Sequence, residues 1–190
     1  AFYGCSKLTI VEIGNSVTSI GSSAFYGCSS LKEIIVPDSV KSIGGGAFSG
    51  CSSLESITLP FVGGSATKTS ASSSTLFGYI FGSSSYTGGT ATKQYYSSSS
   101  SYSTYYIPTS LKSVTITGGK ILYGAFYNCS NLTIVEIGNS VTSIGESTFI
   151  SCSNVTIYCE AESKPSGWDS DWNSGRPVVW GTTENAVVDG

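Results

Sequence analysis

Apolar positions recur along this chain with a fixed, long period. Two consecutive units, AFYGCSKLTIVEIGNSVTSIGSS and AFYGCSSLKEIIVPDSVKSIGGG, are each 23 residues long, and further copies open at Ala47, Ala125 and Thr148. A partial unit lies between Ser110 and Gly124, which brings the count to six coils. Because one unit cannot bury its apolar face alone, a period of this length predicts a solenoid whose coils stack on one another.

Each unit holds two apolar sets that predict its local structure. In the first unit Leu8, Val11 and Ile13 predict a short strand, whose copies would stack about 4.8 Å apart. The equivalent positions in later units are Leu31, Ile34 and Val36; Leu54, Ile57 and Leu59; Leu111, Val114 and Ile116; and Leu132, Val135 and Ile137. The second set, from Val17 to Phe25, predicts a return strand followed by one helical turn over residues 22–27, with a serine as its N-cap.

The unit AFYGCSSLKEIIVPDSVKSIG resembles the BspA-like, treponemal-type leucine-rich repeat, whose motif reads AFxxCxxLxxIxIPxSVxxIG. The resemblance implies an α/β solenoid, a leucine-rich repeat horseshoe with a parallel β-sheet of about six short strands and with short helical turns and return strands on the other side. It also implies an extracellular or cell-surface protein of bacteria or protists, for which adhesion is the role usually proposed. Because one fold serves many ligands, the resemblance does not identify the ligand.

The repeat pattern divides the chain into four segments. Residues 1–60 hold repeats 1–3, residues 61–106 form a Ser-, Thr- and Tyr-rich insertion, residues 107–163 hold repeats 4–6, and residues 164–190 form a Trp-rich C-terminal cap and tail. The insertion is either a loose decoration tethered by a few aromatics or a contact loop, since Tyr and Ser are common in binding loops. Its apolar run from Leu76 to Phe81 is expected to pack on the flank of the solenoid. The candidate contact residues are Tyr95, Tyr96, Tyr102, Tyr105 and Tyr106.

Five of the six cysteines recur at one place in the repeat, namely Cys5, Cys28, Cys51, Cys129 and Cys152. Side chains in register on parallel coils point the same way, which is poor geometry for a disulfide, so we expect a column of buried thiols. The remaining cysteine, Cys159, is expected to point inward in a shortened coil. A Cys152–Cys159 disulfide is the alternative.

All three tryptophans, Trp168, Trp172 and Trp180, lie in the C-terminal segment. A terminal coil exposes an apolar face that something must cover, so a cap is the first interpretation. A carbohydrate-stacking site formed by the same rings is the alternative. Nearby acidic residues resemble the start of a calcium loop, but Ser174 and Trp180 stand where that pattern needs glycine and glutamate.

Composition narrows the chemistry that the chain can perform. Charged residues make up only 11% and the net charge is −3, which gives no electrostatic footprint for nucleic acid. Histidine is absent, and with it the commonest general base and metal ligand. We therefore expect no enzyme activity, no metal and no cofactor. No apolar run is long enough to insert into a membrane, and because Ala1 lies inside a repeat, this N-terminus is expected to be a cut edge.

The outward side chains of the main sheet are expected to form a concave, ligand-binding face. The candidate residues on it are Ile10, Glu12, Lys32, Glu33, Ile35, Glu55, Thr58, Lys112, Thr115, Ile134 and Glu136. Carboxylates on such an unwalled face stay solvated, which argues against a glycosidase pair.

The predicted function is a non-catalytic scaffold that binds a protein ligand, such as a host or neighbouring-cell surface protein, through this face and the Tyr-rich insertion. The alternatives are a structural spacer that presents another domain and a glycan-binding module that uses the C-terminal tryptophans.

Overall fold

The computed structural model describes residues 1–97 and 100–182. Within these residues the strands are β1 (Ser19–Ile20), β2 (Glu33–Ile35), β3 (Ser42–Ile43), β4 (Ser56–Leu59), β5 (Gly89–Tyr95), β6 (Tyr102–Pro108), β7 (Ser113–Ile121), β8 (Ile134–Ile144), β9 (Thr156–Cys159) and β10 (Val178–Trp180). Two 3-10 helices, Ser73–Thr75 and Phe77–Phe81, lie between β4 and β5 and are the only helical segments in this part of the chain. The molecule is a β-solenoid of about seven turns.

A six-stranded parallel sheet runs along the solenoid in the order β10-β9-β8-β7-β4-β2. One inward residue from each of five consecutive coils lies in a single column of the core: Ile34, Ile57, Val114, Val135 and Ile157. The predicted leucines are buried just as completely at Leu31, Leu54, Leu111 and Leu132. On the other side of the core, β1 and β3 pair in parallel as return strands. The solenoid, its parallel sheet and its aliphatic interior are therefore confirmed.

The two ends of this sheet differ from the prediction. The first coil contributes no strand to the six-stranded sheet, because residues 9–13 make no backbone hydrogen bond with β2 in the described structure. Its inward aliphatic residues Leu8, Val11 and Ile13 are only half-buried, because in this structure a neighbouring coil covers them on one side alone. The last strand comes instead from the C-terminal segment, where β10 pairs with β9 and sets Trp180 beside Cys159. Cys159 is completely buried, as its predicted inward orientation requires.

The helical turn predicted over residues 22–27 is wrong. Ser23 has a φ of +56°, in the left-handed region that a right-handed helix excludes. The N–H groups of Phe25 and Gly27 donate to the carbonyls of Ala47 and Ser49 in the next coil, each at 2.8 Å. These segments, which begin at each Ala-Phe pair or its Thr-Phe equivalent, therefore form isolated turns, such as the one closed by the Cys28 N–H and the Phe25 carbonyl at 3.2 Å, and also bond to neighbouring coils. We call the stack that they form the turn row.

The turn row carries a stack of phenylalanine rings into the core. Phe2, Phe25 and Phe48 lie nearly parallel, with centroids 5.4 and 5.3 Å apart, and Phe126 and Phe149 repeat this arrangement at 5.3 Å. Each ring buries a large apolar area against its neighbours. Between Phe48 and Phe126 the insertion interrupts the repeat, so the row needs another occupant there.

The insertion supplies that occupant. The rings of its 3-10 helix Phe77–Phe81 bridge the gap, with the Phe81 centroid 6.4 Å from Phe48 and the Phe77 centroid 4.8 Å from Phe126. The backbone continues too: the Phe48 N–H donates to the Ile80 carbonyl, and the Phe77 N–H donates to the Ala125 carbonyl. Packing of this run on the solenoid is thus confirmed, and Phe77, Ile80 and Phe81 are completely buried. They belong to the core itself rather than tethering a loop to its flank.

The strands β5 and β6 form an antiparallel hairpin that packs against this 3-10 helix. From β5 the side chain of Gln94 enters the turn row and is completely buried. Its Oε1 accepts a hydrogen bond from the Gly78 N–H at 2.7 Å, and its Nε2 donates to the carbonyls of Ala125 and Tyr127 at 3.1 and 3.2 Å. In an uninterrupted row a backbone N–H reaches the second of these carbonyls, as Gly27 reaches Ser49. One amide side chain therefore completes the interrupted backbone ladder.

We predict that Gln94→Ala lowers the free energy of unfolding by about 2–3 kcal/mol, because it leaves buried backbone groups without partners. Chemical denaturation followed by tryptophan fluorescence measures the change. Thr104→Ala, at an exposed position of β6 in register with Lys93, is the control and should change stability by less than about 0.5 kcal/mol. Equal stability of the two variants would show that Gln94 does not hold the row together.

Candidate binding surfaces

The outward side chains of the six-stranded sheet and of the first coil form one surface, which we call the sheet face. The register arranges the predicted ligand-binding residues on it in three rows. The rows contain Lys32, Glu55 and Lys112; Glu33 and Ile134; and Ile35, Thr58, Thr115 and Glu136. The remaining two, Ile10 and Glu12, belong to the first coil and lie beside β2.

The first coil and β2 enclose a groove of about 540 Å³ on the sheet face, which we call the sheet-face groove. Two aliphatic side chains that line the groove are exposed to solvent, Ile10 at 83% and Ile35 at 56%. Because residues 9–13 are not hydrogen-bonded to β2, the groove reaches between the coils as far as Val11 and Ile34. Exposed apolar side chains that share one concavity are typical of a contact site, whereas scattered ones are not.

Charge around this groove is predominantly negative. The ammonium of Lys32 lies 3.3 Å from the carboxylate of Glu55 and forms an exposed ion pair with it within the sheet face. The carboxylates of Glu12 and Glu33 also line the groove and have no ion pair among the described residues. A ligand that carries a basic group next to an apolar one would complement this arrangement.

Towards the C-terminal end, polar side chains of the sheet face form hydrogen bonds to groups of the protein itself. The Thr115 hydroxyl donates to the Glu136 carboxylate at 2.8 Å, and the Lys112 ammonium donates to two backbone carbonyls. Thr58 and Ile134 are half-buried. Glu33 and Glu136 occupy different rows with β4 and β7 between them, so the register does not bring these two carboxylates together.

The predicted contact tyrosines of the insertion divide into two groups. Tyr95 and Tyr102 form an accessible cluster with Lys93, whose Nζ lies 3.8 Å from the centroid of the Tyr102 ring. Tyr102 is 49% exposed, and Tyr95 packs on Tyr127 of the solenoid at 4.8 Å. This cluster, at the end of the hairpin, is the part of the insertion that a ligand can reach. Two serines of the turn, at positions 98 and 99, lie outside the described residues.

The other tyrosines mainly hold the insertion in place. Tyr105 is buried and its hydroxyl donates to the Ser73 carbonyl at 2.8 Å, while burial raises its pKa. Tyr86 donates to the Tyr106 carbonyl at 2.9 Å, and burial raises its pKa as well. Tyr96 and Tyr106 are half-buried. We therefore leave Tyr105 out of the proposed contact surface.

A second groove, which sequence reasoning missed, lies where the insertion meets the turn row. It has a volume of about 320 Å³, and its walls include Tyr26 from the repeats and Tyr79 and Tyr105 from the insertion. We call it the tyrosine groove. A signal was present in the sequence, because the residue after Ala-Phe is tyrosine in the first two units and Ser49 in the third. Only in the stacked structure does the change from tyrosine to serine open a groove beside Tyr26.

The tryptophans of the C-terminal segment pack together over the end of the core. Trp168 and Trp172 are buried, with centroids 4.8 Å apart, and Trp172 meets the last ring of the phenylalanine stack, Phe149, at 6.1 Å. The Trp168 indole N–H donates to the Val141 carbonyl at 3.3 Å. Trp180 is half-buried against the core. Because Trp168 and Trp172 are packed in this way, the arrangement favours the cap over the alternative of a glycan site at the tryptophans. The tail at positions 183–190 lies outside the described residues.

The cysteines form a column of thiols, and the column is exposed only at its first member, Cys5. Buried thiols donate to the phenylalanine carbonyl of the preceding coil, from Cys51 to Phe25 at 3.3 Å and from Cys152 to Phe126 at 3.0 Å. Burial raises the pKa of Cys51, Cys152 and Cys159 to about 12. All six are free thiols, so Cys152 and Cys159 are not joined in this structure.

Residues 1–97 and 100–182 contain no cluster of three or more side chains suited to hold a metal ion. Over the same residues, no helix has the length and apolar character needed to cross a membrane.

Comparison with known families gives one match. The family of the BspA type leucine-rich repeat region matches residues 1–117 and 98–164, in six copies. Proteins of this repeat type are generally non-enzymatic. No curated protein matches the chain.

Three solved structures are similar to this chain. A leucine rich cell surface protein from Faecalibacterium prausnitzii shares 30% identity over 85% of this chain, with a TM-score of 0.46. A leucine-rich repeat protein from Bacteroides ovatus shares 20% identity over 93% of this chain, with a TM-score of 0.47. A T. pallidum leucine rich repeat protein shares 18% identity over 88% of this chain, with a TM-score of 0.31. This chain spans only 34%, 49% and 64% of their respective lengths.

We predict that native protein treated with iodoacetamide at pH 8 is modified at Cys5 alone. A thiol whose pKa is about 12 is almost entirely protonated at this pH, and a protonated, buried thiol does not react. Mass spectrometry of the intact and digested protein counts the modified sites. Unfolded protein should be modified at all six positions, and native Cys5→Ser at none. Rapid native modification of Cys51 or Cys152 would contradict the buried column.

Proposed function

Since this chain belongs to the family of BspA-type leucine-rich repeat proteins, we propose that it is a non-catalytic scaffold that binds a protein ligand outside the cell or at its surface. The ligand occupies the sheet-face groove, and its class is a surface protein of a host or of a neighbouring cell. The accessible tyrosine cluster of the hairpin provides a second contact. The biological outcome of this binding is adhesion.

The observation that carries this proposal is the exposure of Ile10 and Ile35 on either side of one groove. Exposure of aliphatic side chains to water is unfavourable, and a partner that covers them gains the free energy of burying their apolar surface. Burial of an apolar anchor in a concavity is the usual source of affinity in a protein interface. The same groove is lined by residues of the first coil and by β2 with its neighbours, and this open arrangement supports binding rather than catalysis.

Charge defines the partner further. Glu12 and Glu33 have no basic partner among the described residues, while Lys32 is engaged with Glu55. A partner segment with an aliphatic side chain next to lysine or arginine would pair with both features. Because ion pairs at the rim of an interface are screened, salt should slow association more than it speeds dissociation.

We predict that the double variant Ile10→Asp/Ile35→Asp binds immobilised extracellular-matrix proteins or whole cells at least about tenfold more weakly than the unmodified chain, since each change places a carboxylate in an apolar contact. Biolayer interferometry and cell-binding assays measure the difference. Thr18→Asp, an exposed change outside the sheet face, is the matched control and should leave binding intact.

The spacer interpretation makes the opposite prediction. If the unmodified chain binds none of these surfaces, or if binding persists in the double variant with its fold verified by circular dichroism, the sheet-face groove is not a ligand site. The chain would then serve to position another domain.

A further inference from the structure

The tyrosine groove exists because one ring is missing from a stack. Tyr3 and Tyr26 occupy the same place in the first two coils, and their rings stack with centroids 4.7 Å apart and an angle of 11°. In the third coil this place holds Ser49, which has no ring. Since the coils stack in order, Tyr3 covers one face of Tyr26 and the opposite face looks towards Ser49 and into the groove.

Residues of the insertion on the side opposite Tyr26, and glycines at the base of the groove, keep this space open. Tyr79 and Tyr105 come from the insertion and stand across the groove, and Tyr105 is fixed there by its hydrogen bond to Ser73. The lining also includes Gly46 and Gly82, both in the left-handed region with φ of +66° and +80°. Glycine suits such a conformation, and its lack of a side chain leaves the floor of the groove unobstructed.

The chemistry of the lining is uncharged and rich in hydroxyl groups. No lysine, arginine, aspartate or glutamate lines the groove. It is bordered instead by serine hydroxyls at Ser23, Ser49, Ser83 and Ser84 and by the phenols of Tyr26 and Tyr79. Among the described residues none of these six hydroxyls makes a hydrogen bond, and the five on side chains other than the buried Ser49 are accessible to a ligand.

We propose that the tyrosine groove binds one pyranose ring of a neutral glycan, stacked on the open face of Tyr26. A volume of about 320 Å³ lies at the small end of ligand sites, which combine aromatic walls with a few polar groups that fix orientation. A sugar ring places its C–H face on the aromatic ring and its hydroxyls against the serine and tyrosine hydroxyls, which both donate and accept hydrogen bonds.

Two other classes of ligand fit the groove less well. An acidic sugar would bring a carboxylate into a site without a cation, at a cost in desolvation that nothing offsets. The aromatic side chain of a protein partner could stack on Tyr26, but it would leave the converging hydroxyls without partners. The neutral sugar alone satisfies both the ring face and the hydroxyls.

The test uses the whole chain and an array of neutral and sialylated oligosaccharides, followed by calorimetric titration with the neutral oligosaccharide that gives the highest signal. Ser49→Tyr is the decisive variant, because it restores the ring that the first two units carry and should fill the groove without disturbing the fold. We expect Ser49→Tyr and Tyr26→Ala each to reduce binding at least tenfold. Tyr26→Phe, which keeps the ring, and Tyr102→Ala, at an exposed tyrosine on the hairpin, should bind within a few-fold of the unmodified chain.

Several results would overturn the proposal. One is the absence of binding to any neutral oligosaccharide at millimolar concentration, and another is neutral-glycan binding that Ser49→Tyr leaves unchanged. A third is a tyrosine- or tryptophan-containing peptide that binds in a Ser49→Tyr-sensitive way while no sugar does, which would assign the groove to a protein partner. The Ile10→Asp/Ile35→Asp variant should bind the glycan normally, which keeps this site separable from the sheet-face groove.

Discussion

Every coil of this protein depends on the next coil to complete its hydrogen bonds and to cover its apolar edge. The constraint is strictest in the turn row, where the N–H groups of Phe25 and Gly27 have their partners in the following coil. Buried backbone groups without a partner are costly, so a break in the row must be repaired by some other donor or acceptor. The insertion, the hairpin and the tyrosine groove all follow from the way in which this repair is made.

The repair combines a backbone segment and a side chain. The 3-10 helix Phe77–Phe81 restores the ring stack and part of the ladder, and Gln94 supplies the hydrogen bonds that the helix cannot reach. A segment that looks like a low-complexity loop is thereby bound into the core at its centre. The insertion also contributes Tyr79, Ser83 and Ser84 to the tyrosine groove, and its hairpin carries the exposed cluster around Tyr102.

The parts of the fold that could be predicted are those that repeat. The leucine column, the parallel sheet and the inward position of Cys159 follow from the spacing of apolar residues, because the same environment recurs in each coil. The helical turn over residues 22–27 was wrongly predicted, because Ser23 occupies a left-handed conformation that serine only rarely adopts. Gln94 gave no signal either, because its partners lie in segments that the sequence does not place beside it.

The candidate surfaces show the same division. Ile10 and Ile35 were identifiable as outward aliphatic residues, but the groove between them depends on the first coil failing to join the sheet. The tyrosine groove arises between a repeat and the insertion, and no single unit of sequence contains it. The sequence left two interpretations of the tryptophans open, a cap and a sugar site, and the burial of Trp168 and Trp172, with Trp172 against Phe149, favours the cap.

The central claim is that the insertion completes the core of the solenoid, and hydrogen–deuterium exchange tests it most directly. Amide protection reports whether a segment opens locally or only with the whole structure. The account predicts that peptides spanning residues 76–82 exchange as slowly as those spanning residues 24–31 and 47–54. Exchange of residues 76–82 as fast as that of the exposed loop at 67–70, with the repeats still protected, would contradict it.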